Sequence, residues 1–454
     1  MAGASGPSPD DGTAERVLVV GAGLAGLTCA RLLHQHDVPV SVLDAADQPG
    51  GRVRTDQVDG FLLDRGFQVL LAAAPQAQEL LDYERLELCR FRPQVALRHR
   101  GRFTTVADPF QTQGLRGRGI GLGDRRDLAG LCRRVTRGTL EELLARPETS
   151  AAEALAAAGV SEALVRRLLR PLLGGLLLDP DLGMSSRLLE FTVRLLVDGD
   201  LALPAHGMGA IPAQLAAGLP PEVLQLDRRV TAVAPGSALL ASGERLTGRA
   251  VVVATDGPAA AALLDGLPAP GSLRATTVYF AAEDAPVDAG VVVVDGDHDG
   301  PIAQVWVPSL VAPAYAPDGA HLIAVTVLGE DAARPPAELE SALLAQLADW
   351  FGAGVVGWRQ LASYHLPHAL PAQPPGSLDP PARPARLADD PASAGAAGAA
   401  EQRRRAWPRV YLCGDHRDLA GHHGAMASGR RAAQAVLDDL AGSAAPPGRG
   451  SIAG

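Results

Sequence analysis

The 454-residue chain has no lysine: all 41 basic residues are arginine, a bias that a coding sequence rich in G and C produces. Any mechanism that needs a catalytic lysine is thereby excluded. Aromatic residues are scarce, with eight Phe, five Tyr and four Trp. The four cysteines, Cys29, Cys89, Cys132 and Cys413, stand far apart without a CxxC pair, so they read as reduced, mostly buried thiols and not as a disulfide or zinc framework. No stretch reaches the roughly 18 unbroken apolar residues of a membrane span, which leaves only peripheral membrane contact open. The N-terminal MAGASGPSPDDGTAER is polar and acidic, the opposite of a signal peptide, and a cytoplasmic protein is expected. With 51 acidic residues and a net charge of −10, there is no electrostatic footprint for nucleic acid. What is abundant is small: 51 Gly and 36 Pro without a fixed period, in a chain that is 47% hydrophobic. That apolar content excludes a disordered or fibrous protein, and at roughly 100–200 residues per domain the length predicts two to three domains.

Order is expected to begin at RVLVV (16–20), a continuous apolar run of the kind that a buried parallel strand shows. GAGLAG (21–26) follows at once, then Ala25, Cys29, Leu32 and Leu33 at helical spacing, then a second apolar run, Val38 to Leu43, ending at Asp44. This is a βαβ unit with G-x-G-x-x-G at its first turn and an acid 18 residues beyond Gly26, the context that makes such a glycine string specific for a dinucleotide. Gly21 allows the tight turn, Gly23 lets the backbone approach a pyrophosphate, and Gly26 lets helix and strand pack closely. Leu24 and Ala25 open the helix, whose free N–H groups favour phosphate. Asp44 can accept ribose hydroxyls and repels a 2′-phosphate.

Beyond this unit the pattern is mixed. Helical spacing runs from about Leu80 to Asp200, notably Glu141–Ala145, Ser150–Leu169 and Ser185–Val197. Strands are expected over Val223–Val233, Leu239–Leu246, Ala250–Ala254, Val278–Ala281, Val291–Val294, Ile302–Val307 and His321–Leu328, and a helix over Pro336–Phe351. The Pro- and Ala-rich stretch from Pro371 to about Ala406 reads as a mobile surface insertion. A strand at Val410–Cys413, ending in Gly414-Asp415, leads into a final helix from about Gly424 to Leu440.

After Asp44, the run AADQPGGRVRT (45–55) and then DGFLLDRGFQVL (59–70) resemble the signature of the FAD-dependent superfamily of flavin amine oxidases, protoporphyrinogen oxidases and phytoene desaturases. The resemblance implies that Gly50 and Gly51 let the backbone pass close to FAD, that Arg52 stands near the diphosphate or the flavin edge, and that Asp64, Gly66, Phe67 and Gln68 belong to the loop under the isoalloxazine ring. LPAHGMGAIPAQLA (203–216) and Val230, in RRVTAV, resemble further family segments, the latter the strand that meets the adenine. YLCGDHRDLAGHHGAMASGRRAAQAVL (411–437) resembles the C-terminal flavin segment. There the resemblance implies contacts from Gly414 and Asp415 to the ribityl or phosphate region, and from the backbone of Ala425 and Met426 to the pyrimidine end.

Departures from the family narrow the chemistry. Amine oxidases of the superfamily use a lysine beside the flavin and an aromatic cage; this chain has no lysine and carries Gly421-His422-His423 where a cage residue belongs. YHLPHALP (364–371) looks closer to porphyrinogen oxidases and carotenoid desaturases, and no counterpart of the family's flavin-linking cysteine is present, so noncovalent FAD is expected. His365 and His368 form HxxH, but the intervening Pro367 spoils a helical ligand face, and no metal is expected. His422 and His423 are the candidate catalytic residues, as proton relay or anion stabiliser, since histidine titrates near neutral pH. The Leu and Ala residues between Leu164 and Leu203 read either as helical core or as the wall of an apolar pocket.

The resulting expectation is an α/β fold: a Rossmann-type FAD-binding domain with an inserted α+β substrate domain. The former would come from residues 15–80, 203–270 and 406–441, the latter from 81–202 and 271–370, with a 371–405 insertion and disordered ends at 1–14 and 442–454. The expected reaction is dehydrogenation of an organic, apolar small molecule, isoprenoid, polyene or porphyrinogen-like, by hydride transfer to FAD, with oxygen or an unidentified acceptor taking the electrons. Amine oxidation, flavin-dependent isomerisation and a non-catalytic prenyl-binding escort role are the alternatives.

Overall fold

Val17–Val20 (β1), the helix Leu24–Gln35 (α1) and Val40–Leu43 (β2) form the first βαβ unit of the computed structural model, which describes residues 15–107, 109–110, 120–378, 380–390 and 407–444. β1 lies at the centre of a five-stranded parallel sheet in the order 224–225, β2, β1, 250–253, 410–412, so three distant stretches of chain share one layer. Side chains alternate across it. Val17, Val19, Val42 and Val252 face α1 and the C-terminal helix His422–Ala444, while Leu18, Val20, Val251, Val253 and Leu412 face an antiparallel ribbon containing Val233, Ala238 and Leu240. Both faces are buried, which is why these strands read as unbroken apolar runs.

A second, seven-stranded sheet is largely antiparallel, in the order 359–371, 272–282, 321–328, 302–306, 292–295, 94–99, 102–107. One face, with Val278, Phe280, Val325 and Val327, packs on the helix Pro336–Phe351 through Leu339, Leu343 and Leu347. The other face carries Tyr279, Trp306 and Ala324 into the core shared with the helices of residues 122–198. The edge strand Arg359–Pro371 accommodates Pro367, because an edge leaves one set of backbone bonds unused.

Several expectations change. The 80–200 stretch is not helical throughout: Cys89–Arg90, Gln94–His99 and Arg102–Ala107 are strands, disguised by Arg98, a buried arginine that pairs with Asp349 at 2.6 Å. The helix expected over Ser150–Leu169 breaks at Gly159, whose φ of +78° ends Ala151–Ala157, and resumes through Glu162–Leu164 into a π-helical turn at Val165–Leu169. The strand expected over Val223–Val233 divides at Asp227 (φ +55°) between two sheets. The 371–405 insertion is only partly a surface feature where it is described: Pro374, Pro375, Gly376, Pro380 and Ala382 are exposed. Gln373, Leu378, Leu387 and Asp390 are buried, and Asp390 holds Arg417 at 2.7 Å, an ion pair that ties the stretch to the C-terminal segment. Residues 391–406 of that insertion lie outside the described residues, as do the tails expected at 1–14 and 445–454. The final helix starts earlier and ends later than expected, at His422 and Ala444, so residues 442–444 are helical.

Candidate active site

The glycines of the first turn do separate jobs. Gly21 has φ +109°, and a Cβ there would fall 2.9 Å from the Ala254 carbonyl oxygen. A Cβ on Gly26 would fall 1.9 Å from the Gly21 oxygen, so this position is fixed by helix-on-turn packing. A Cβ on Gly23 would meet nothing within 4 Å, because Gly23 faces a cavity of about 810 Å³. Asp44, at the end of β2, clamps the turn: Oδ2 accepts from the Ala22 amide at 2.6 Å and Oδ1 from the Ala46 amide at 2.8 Å. Gly50 donates its amide to the Ala22 carbonyl at 2.8 Å, drawing residues 50–52 alongside the glycine turn.

Arg52 then reaches across the cavity. Its Nη2 donates to Asp415 Oδ1 at 2.5 Å and its Nη1 to the Ala369 carbonyl at 2.9 Å, so one guanidinium joins three chain segments. Burial works against its charge, but the Asp415 carboxylate wins and holds the Arg52 pKa above its ordinary value. Asp415 is buried and also accepts from the Gly421 amide at 3.3 Å. Gln68 donates Nε2 to the carbonyls of Arg52 and Arg65, at 2.7 and 3.0 Å, which leaves its buried Oε1 without a protein partner. Phe67 beside it meets Trp306 edge to face, 5.5 Å between centroids.

Of the residues singled out in the sequence, Gly21, Gly23, Leu24, Ala25, Asp44, Gly50, Gly51, Arg52, Phe67, Gln68, Val230, Gly414, Asp415, Ala425 and Met426, with His422 and His423, line this one cavity. Gly26 and Gly66 do not. Gly26 packs behind the turn, and Gly66 (φ +97°) lies against Leu366, whose Cδ1 is 2.5 Å from where a Cβ would stand. The Ala425 amide is already donated to the Gly421 carbonyl at 3.0 Å, so it is not a free donor as expected.

The two histidines differ from expectation in their chemistry. Burial, joined by Arg52 for His422 and by Arg431 for His423, pushes both down to about 4, so both are neutral at pH 7 and neither offers a cation there. The His423 ring packs on Phe191 with centroids 4.8 Å apart, and its buried Nδ1 has no protein partner.

Charge is segregated along the cavity. Every charged lining residue, Asp44, Arg52, Arg228, Arg229, Asp256 and Asp415, sits in a loop at the carboxyl end of the parallel sheet, where open α/β sheets bind ligands. The other limb, formed by residues such as Phe67, Leu71, Ala74, Leu176, Leu177, Leu178, Leu188, Phe191, Thr192 and Leu366, carries no charge. The sequence offered the leucines of 164–203 as wall or core, and both descriptions apply: Leu176 and Leu188 reach the cavity, whereas Leu173 and Leu189 stay in the core. Arg228, Arg229, Asp256 and Thr192 were not anticipated. For the first three, position just after a strand of the parallel sheet was the available signal. Thr192 lies four residues beyond Leu188 on one helix face.

The charged limb, with an acid beside the glycine turn, an open Cβ position at Gly23 and a guanidinium in mid-cavity, suits an extended dinucleotide that continues to the unpartnered Gln68 Oε1. A family model described as flavin containing amine oxidoreductase matches residues 24–437. The chain belongs to that family. Its cofactor is FAD, and it is an FAD-dependent oxidoreductase. Over 51 residues, 11% of the chain, it is 51% identical to hydroxyneurosporene desaturase of Rubrivivax gelatinosus, and over 82 residues, 18% of the chain, it is 37% identical to coproporphyrinogen III oxidase of Propionibacterium freudenreichii subsp. freudenreichii. The matched stretches span only 10% and 15% of those two proteins. Among solved structures, the cyclohexylamine oxidase from Brevibacterium oxydans superposes over 94% of this chain and 100% of its own, with a TM-score of 0.67 at 19% identity, which is a likeness of fold. Among the described residues, none of this flavin-containing amine oxidoreductase's helices is long and apolar enough to cross a membrane, and no group of three His, Cys, Asp or Glu side chains is placed to hold a metal ion.

Proposed function

We propose that this protein dehydrogenates an uncharged, mainly apolar small molecule, of isoprenoid or polyene type, with FAD held noncovalently in the charged limb of the cavity. The observation that carries this reading is the charge segregation. An ammonium substrate would need a carboxylate or an open aromatic face in the uncharged limb. The limb supplies no carboxylate, and each of its two rings, Phe67 and Phe191, has a neighbour packed on it, Trp306 and His423. A porphyrinogen, with its several carboxylates, would need free arginines there; of the lining arginines, Arg228 and Arg229 follow the strand 224–225 and Arg52 is paired with Asp415. The desaturase among the relatives is consistent with this choice.

When bound, FAD supplies the redox chemistry, taking a hydride from substrate carbon and passing the electrons to oxygen or another acceptor. The chain's own residues would do the rest. Asp44 holds the glycine turn in shape for the dinucleotide and presents its remaining lone pairs to ribose. Arg52, kept cationic by Asp415, balances phosphate charge. Leu176, Leu188, Leu366 and Phe191 exclude water from the reacting carbon. His422 and His423, neutral at pH 7, are able to accept a substrate proton or a hydrogen bond but not to pair with an anion.

The test is anaerobic mixing of the FAD-loaded protein with three substrate panels: isoprenoids and polyenes, porphyrinogens, and primary and polyamines. Bleaching of the flavin bands by the first panel alone is expected. Bleaching by amines with no response to the first panel would overturn the assignment.

A further inference from the structure

Three of the chain's five tyrosines converge on the turn that leaves the strand Phe61–Asp64 (β4), the partner of Thr55–Val58 (β3). Tyr279 donates its hydroxyl to the Asp64 carbonyl at 2.8 Å, with the Gly66 carbonyl at 3.4 Å. Tyr315 donates to Asp64 Oδ2 at 2.8 Å. Tyr364 donates to Asp56 Oδ2 at 2.8 Å, and Asp56 in turn holds Arg65 through Nε and Nη2, at 2.8 and 3.0 Å. The Asp64 carboxyl is fully buried, and its Oδ1 accepts from Thr55 Oγ1 at 2.5 Å and from the Met208 amide at 2.9 Å. Its donors therefore come from β3, from the Gly-Met segment and from Tyr315, while the adjoining backbone is held by the seven-stranded sheet. Three and four residues beyond Asp64, the same turn delivers Phe67 and Gln68 to the cavity wall, which Asp64 itself does not reach.

We propose that Asp64 is a positioning residue whose carboxyl, by holding or releasing this hydroxyl network, sets where Phe67 and Gln68 stand against the flavin. The proposal rests on the reading that FAD occupies the cavity beside residues 66–68. The groups bonded to the Asp64 carboxyl, Thr55, Tyr315 and the Met208 amide, are all neutral donors. Such an arrangement suits an ionised acid, yet burial outweighs it and pushes the carboxyl up to about 6. Tyr279 and Tyr315 are themselves raised well above the ordinary tyrosine range by burial and stay protonated, and the nearby Asp56 charge is matched by Arg65. Protonation of Asp64 thus adds a hydrogen where three donors already point. Thr55 and Tyr315 carry hydroxyls, either of which can turn its own hydrogen away and accept this one, so the network admits a second arrangement.

The experiment uses the full chain reconstituted with FAD and follows the visible circular dichroism of the flavin from pH 5 to 7.5, with FAD affinity measured in parallel by fluorescence quenching. The wild-type signal is expected to titrate with a midpoint near pH 6, and Asp64→Asn to bind FAD with no such step. Tyr315→Phe removes one donor to the ionised form, so its midpoint is expected to move to higher pH. A flat wild-type signal, the same midpoint in Asp64→Asn, or an unmoved midpoint in a folded Tyr315→Phe would overturn the proposal. Failure of the wild-type chain to take up FAD at all would overturn the cofactor site first and this proposal with it, and the affinity measurement tells the two apart.

Discussion

The two limbs of the cavity are built by opposite means. The charged limb is shaped by backbone, with glycines at positive φ and carbonyls and amides in close approach, and its side chains are ionised and already engaged: Asp44 with two amides, Arg52 with Asp415. The uncharged limb is shaped by side-chain volume, with leucines and two phenylalanines from two helices and the edge strand, and its few polar atoms, Gln68 Oε1 and His423 Nδ1, lack protein partners. A backbone-built site tolerates little substitution but recognises a fixed ligand. A wall of flexible leucines is readily reshaped, so specificity for the variable reactant belongs there.

The sharpest way to break this contrast is to compare glycines within one motif. Gly26→Ala drives a Cβ into the Gly21 carbonyl, a backbone atom that cannot step aside, and is expected to cost at least about 3 kcal/mol of stability, read as a lowered urea midpoint of the apoprotein. Gly23→Ala places its methyl in open cavity. It is expected to leave the apoprotein's midpoint unchanged while weakening FAD binding at least about tenfold, or ~1.4 kcal/mol. Equal loss of stability in both variants would remove the distinction between packing and ligand glycines.

The uncharged limb is tested by giving it a charge. Thr192→Asp puts a carboxylate where no cation lines the wall, and reduction of the flavin by an apolar substrate is expected to fall by about a hundredfold, ~2.7 kcal/mol, with FAD retained. Unchanged reduction would mean that Thr192 is remote from the substrate. Asp44→Ala sharpens the other side. Losing the acceptor of the buried Ala22 amide is expected to cost about 1–3 kcal/mol of apoprotein stability and to lower FAD affinity about tenfold, so this residue serves turn and ligand together.

The same division governs what could be read from sequence. The glycine turn, Asp44, Arg52 and Asp415 of the charged limb were legible, because a backbone-built site requires glycine at set spacings and an acid at a strand end, and such demands leave letters in the chain. Gly26 was read as a packing glycine and packs behind the turn, whereas Gly66 was read as part of the loop under the flavin and lies against Leu366 instead; spacing alone does not separate the two roles. In the uncharged limb, Leu176 and Leu173 obey one helical period, and which of them meets open space is decided by the partner sheet, not by local pattern. Arg228 and Asp256 escaped notice because they are single charged letters after short strands. The insertion from Pro371 was misread because composition reports backbone preference, whereas the burial of Asp390 against Arg417 is a pairing across 27 residues.

The smallest expected effect separates the limbs by pH. His416, His422 and His423, before and at the start of the helix His422–Ala444, are pushed down to about 4, mainly by burial, against an ordinary value near 6.5. A histidine whose folded value is depressed binds its proton more readily when unfolded. The stability that these groups contribute is therefore present above pH 6.5 and is lost as pH falls through 4. Asp64 acts in the opposite direction: its folded value, about 6, lies above the ordinary 3.8, so its contribution is complete below 3.8 and disappears as pH rises through 6. Between pH 6.5 and 4 three histidines oppose Asp64 together with Asp179 and Asp418, which burial also raises but by less, and a net fall in the urea midpoint on acidification is expected. His422→Phe should flatten that fall, and Asp64→Asn should steepen it, since the acid-favouring share is then gone. If both substitutions change the slope in the same direction, burial is not what sets the charge state of one of these groups, and the contrast between a backbone-built limb and a volume-built limb would have to be redrawn at that residue.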